Sequence, residues 1–133
     1  MQTSGKILLA LTAAALVCAG GVRAHEFPIR QQSDISATGH DPEWALEING
    51  AGGRLTLTLD GQASSYQLPP FAPNLYRDRL QAVYRVPNDR HVLTVFVKSE
   101  ACRDAVTGTS HEVTVLVSQD GKGYAGCGDV SNR

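Results

Sequence analysis

The chain has 133 residues, with 12 basic and 13 acidic side chains, four histidines and three cysteines. Taking away an N-terminal leader of 24 residues leaves 109, with 10 basic and 13 acidic groups, a formal charge of −3 and two cysteines. That is one small domain with no room for a second core. A weakly acidic balance argues against nucleic acid or an anionic membrane as the main partner.

Lys6 precedes an apolar run from Ile7 to Val17, and Cys18-Ala19-Gly20-Gly21 closes it. A basic start, an apolar stretch of this length and small residues ahead of a cut site describe a secretory signal peptide. Val22-Arg23-Ala24 places cleavage after Ala24, giving a leader of residues 1–24. The run is shorter than the ~20 residues that span a bilayer. Bulky Val17 ahead of Cys18 argues against lipid anchoring at that cysteine. Export to a periplasmic or secreted location then makes Cys102 and Cys127 a disulfide pair. Closing the loop between them is worth roughly 3 kcal/mol in the chain-entropy model.

Residues 25–38 are polar and aperiodic, so they read as an N-terminal arm with at most an edge strand. A single β-domain is expected over 39–133. Trp44, Leu46 and Ile48 alternate with polar or small residues, Asn49 to Gly53 turns, and Leu55, Leu57 and Leu59 alternate again. Asp60-Gly61 marks the next tight turn, and Ser64 to Leu68 adds a short strand. Between Pro70 and Leu80 a loop and a single helical turn are equally compatible. Ala82 to Val86 is a strand, Pro87-Asn88-Asp89 a turn, and Val92 to Val97 a central strand. Val113 to Val117 and a last strand ending near Cys127 flank the turn Asp120 to Gly123. Six to eight short strands with frequent turns predict an all-β antiparallel barrel or sandwich with one disulfide.

Trp44 reads as a structural anchor whose indole N–H meets a loop carbonyl, with an exposed stacking platform as the alternative. His25, if it is the mature N-terminus, offers an amine and an imidazole to copper, with His40, His91 or His111 completing the site. Ser110-His111-Glu112 cannot form a triad, because strand neighbours point to opposite faces. Asp41 or Glu43 could meet Asp104 as paired carboxylates. Phosphate-loop, nucleophile-elbow and His-Glu-x-x-His motifs are absent from the sequence. No cofactor and no catalytic residue are therefore expected. Asp104 is placed to order the turn from Cys102 to Gly108 through nearby backbone N–H groups. The glycines around Cys127 are expected to let the backbone approach its disulfide partner.

Three short motifs stand out. They are Gly39, Pro42 and Trp44; then Cys102, Asp104, Val106, Thr107 and Gly108; then Gly126, Cys127 and Gly128. Together, over residues 38 to 128, they resemble a family of uncharacterised secreted proteobacterial proteins and lipoproteins. Its members often carry glutamate before the proline and phenylalanine after it, where this chain has Asp41 and Glu43. The chain is also similar in general style to META-type heat-shock lipoprotein domains and to small periplasmic lysozyme inhibitors. The resemblance implies export and a disulfide-linked β fold, and no catalytic residue. The functional expectation is a monomeric, non-enzymatic binding protein. Its disulfide-pinned loop of Asp104, Thr107, Gly108, Thr109 and Ser110 would engage a protein such as a lysozyme-like wall hydrolase. The alternatives are copper binding at His25 and an apolar ligand inside the barrel.

Overall fold

The computed structural model describes residues 27–87 and 91–132. The expected leader 1–24, Cys18, His25 and the turn residues Asn88 and Asp89 lie outside them. The chain forms β1 (Asp34–Gly39), β2 (Trp44–Asn49), β3 (Arg54–Leu59), β4 (Gln62–Gln67), β5 (Asn74–Tyr76) and β6 (Gln81–Pro87). It continues through β7 (Val92–Lys98), β8 (Cys102–Arg103), β9 (Ser110–His111), β10 (Val113–Gln119) and β11 (Lys122–Ser131). Among the described residues there is no helix, and so none long and apolar enough to cross a membrane.

Nine strands make one antiparallel sheet in the order β4-β3-β2-β1-β11-β10-β7-β6-β5, curled into a half-barrel. The fold is all-β with one disulfide, Cys102–Cys127. Eight of its strands have six residues or more. The other three, β5, β8 and β9, have two or three, too few to show a period.

Period-two patterning explains the curl. Ile35 and Ala37, then Trp44, Leu46 and Ile48, then Leu55 and Leu57 turn inward. They meet Tyr84, Val86, Leu93, Val95, Val97, Val113 and Val115 in one core. Each fully buried valine, leucine or isoleucine among them contributes about 1.5–3 kcal/mol of transfer free energy. Asp60-Gly61 and Asp120-Gly121 have positive φ at both positions, the two-residue turn that matches strand twist. They close β3 on β4 and β10 on β11.

Two expectations change. The expected arm 25–38 holds most of β1, which is not peripheral because it pairs on one side with β2 and on the other with β11. It is a middle strand of the sheet. Ahead of it, Ile29 is fully buried and its N–H bonds to the carbonyl of Arg79, 2.7 Å away. Ser33 is also fully buried, and its hydroxyl accepts from the Arg30 N–H. The segment Pro70 to Leu80 contains the short edge strand β5 rather than a helical turn. Its successors Arg77, Asp78 and Arg79 all have positive φ, so the chain reverses into β6.

Candidate functional site

The three sequence motifs meet in space. Cys102 opens β8, and its disulfide to Cys127 fastens that strand to the outward face of β11, with Cα atoms 5.4 Å apart. β8 pairs with β9 through Cys102↔His111 and Arg103↔Ser110. The result is a small hairpin folded over the outside of the barrel. Its tip runs from Asp104 to Thr109.

Asp104 organises the tip. Its Oδ1 accepts the backbone N–H of Val106 at 2.8 Å and of Thr107 at 3.0 Å. Its Oδ2 faces His40 Nε2 at 2.9 Å. The main chain closes the same turn, with Asp104 N–H donating to Thr109 and Gly108 N–H to Asp104. Gly108 has φ 72, a conformation glycine adopts without a Cβ penalty. The side chain of Asp104 is buried. The Thr107 N–H, then the His40 contact, then the Val106 N–H hold its carboxyl at about 2, below the ordinary value of 3.8. The tip itself faces solvent, with Val106 70% exposed and Thr107, Gly108 and Thr109 exposed beside it.

Trp44 is buried, 4% exposed, and packs in the core. Its indole N–H has no acceptor among the described residues, in place of the loop carbonyl expected from the sequence. The indole nitrogen instead lies against the α-carbon of Gly39, since a Cβ built there would fall 2.1 Å from it. Glycine is required at 39 for that reason. The glycines around Cys127 also serve a different neighbour than expected. A Cβ at Gly126 would lie 2.1 Å from the Thr38 carbonyl oxygen and 2.7 Å from the Trp44 ring. At Gly128 it would lie 2.5 Å from the Ser36 oxygen. They admit β1 and the tryptophan, not the disulfide partner.

Between the hairpin and the outward face of β1, β2 and β3 runs an open groove of about 540 Å³. Thr38, Ala45 and Thr58 form its floor, and they are direct cross-strand neighbours. Asp104, Thr107, Thr109 and His111 face it from the hairpin, and His40 and Glu43 from the β1–β2 connection. His111 Nδ1 contacts Asp129 Oδ2 at 2.8 Å.

The three described histidines do not meet at one point. His25 lies outside the described residues. His91 is bonded to Asp120 at the β10–β11 turn. His40 and His111 line the groove, each with its own carboxylate. No three potential metal ligands cluster among the described residues. Asp104 does not pair with another carboxylate, because both its oxygens are engaged by donors. Ser110, His111 and Glu112 diverge, with His111 turned to Asp129 and Glu112 accepting the Val130 N–H. Sequence reasoning missed Thr38, Ala45, Thr58 and Asp129. Their outward alternation on the strands is visible in the sequence, but nothing marks that the hairpin would overhang them.

Comparison with family models, with curated proteins and with solved structures gives no match for this chain.

Proposed function

We propose that this is an exported binding protein that engages another macromolecule through the tip of the β8–β9 hairpin. In its most concrete form it inhibits a lysozyme-like wall hydrolase. One observation supports the reading: an exposed tip is held by a disulfide at its base and by three contacts to one buried carboxylate at its turn. A loop ordered before binding loses little conformational entropy on entering a cleft. Its chemistry suits an acidic cleft. Thr107, Thr109, Ser110 and Arg103 are exposed residues that carry hydroxyls and a guanidinium. Arg103 lies close to the turn, since a Cβ at Gly108 would be 3.7 Å from its Nη2. Glycoside hydrolases place two carboxylates about the scissile bond, a target for such donors.

The test is titration of several lysozyme types with the purified protein. Stoichiometric inhibition is expected of at least one, weakened by about tenfold or more in Val106→Asp, which sets a negative charge on the tip. Full hydrolase activity at a molar excess of the protein for every type tested sinks this reading.

A further inference from the structure

We propose that the groove under the hairpin is a binding site for a neutral saccharide. The inference does not rest on the hydrolase reading: it concerns the space between the hairpin and β1–β3, and shares with the tip only the groove-facing Asp104, Thr107 and Thr109.

The polar groups at the groove define what it accepts. Asp104 and Asp129 are acceptors, so His40 donates from Nε2 and His111 from Nδ1. The other ring nitrogen of each imidazole has no partner among the described residues and is free to bond a hydroxyl group. Glu43 adds a further acceptor, and Thr38, Thr58, Thr107 and Thr109 supply hydroxyls that both give and take. Ligand classes can then be eliminated. No lysine or arginine lines the groove, which disfavours phosphates and carboxylates. Asp104 is already engaged at both oxygens, and no three metal ligands cluster among the described residues, which disfavours a metal ion.

What remains is an uncharged molecule rich in hydroxyl donors and bearing C–H faces. The floor fits the second requirement. Thr38, Ala45 and Thr58 are small and side by side, so they leave a shallow trough in which each carries a methyl group. The volume is within the range of small-ligand sites, and the groove is open, so a chain can run through it. A sugar ring meets both demands at once, with its hydroxyls toward His40, His111 and the threonines.

The test is titration of the purified protein with chitotriose, maltotriose and cellotriose, followed through backbone amide resonances. At least one is expected to bind with a dissociation constant of about 1 mM, shifting Thr38, Ala45, Thr58, Thr109 and His111. Ala45→Arg fills the floor and is expected to weaken binding at least about tenfold at an unchanged melting temperature. Thr109→Lys obstructs from the hairpin side and decides the matter if the first variant does not fold. No shift with any of the three sugars at about 10 mM, shifts confined to other surfaces, or undiminished binding by the obstructed variants overturns the proposal. Preference for the cationic deacetylated chitotriose over the neutral sugar also overturns it, since acidity and not hydroxyl recognition would then drive binding.

Discussion

Gly126 shows how one missing methyl group shapes the site. Its α-carbon sits where β1 and the Trp44 ring converge on β11, and a methyl group there would stand only 2.1 Å from the Thr38 oxygen. That oxygen belongs to backbone held in the sheet, so it cannot swing aside. Gly126→Ala should therefore cost about 1–3 kcal/mol in denaturant unfolding, the scale of overpacking in a well-packed core. Gly123, on the same strand with no atom within 4 Å of its Cβ position, is the control. Gly123→Ala should stay within about 0.5 kcal/mol. Equal effects for the two would refute the packing account. None of this is legible in the sequence. Gly126-Cys127-Gly128 announces a close approach but not the neighbour, and Trp44 announces a core ring but not an unbonded N–H.

The hairpin of β8 and β9 is held by the Asp104 carboxylate as well as by the disulfide. Asp104 carries a carboxyl lowered to about 2 in the fold against 3.8 ordinarily, so its contribution is full above about 4. It fades as the pH falls toward 2, when the carboxylate takes up a proton and loses its hold on the Val106 and Thr107 N–H groups. Amide exchange at those two positions is expected to accelerate across that window, in excess of the global unfolding of the domain. Asp104→Asn should show fast exchange there already at about pH 6, and equal protection in the variant and the parent chain would contradict the assignment. Long strands are readable because alternation repeats: Leu55, Leu57 and Thr56, Thr58 are unambiguous. The two-residue strands of the hairpin offer a single pair of positions each, and the His40–Asp104 contact joins residues 64 apart. Local pattern carries no information about such a pair.

The molecule as a whole is organised around β1. Hydrophobic period alone assigns its surroundings to an arm, because Ala37 and Gly39 on its inward side are too small to announce a buried face. Their smallness is what allows Trp44 and β11 to come close. A chain starting at Gly39 should accordingly fail to fold, since both β2 and β11 would lose their partner in the middle of the sheet. A far-UV spectrum and sharp amide dispersion equal to those of the longer chain would reject this. The all-β class and most long strands follow from local alternation and turn chemistry, and the disulfide from the cysteine count. The order of the strands does not, because it depends on which distant edges find each other.

That order has a consequence for how the protein comes into being. β1 is among the first described parts of the chain to be made and β11 the last, yet they lie side by side. Until Lys122–Ser131 is available, β1–β4 and β5–β10 are two groups of strands with no edge in common. The final ten-residue strand joins them, pairing with β1 on one side and β10 on the other. A growing polypeptide therefore has no route to the complete nine-stranded sheet before Lys122–Ser131 emerges. Non-local closure of this kind also predicts slow folding for its size.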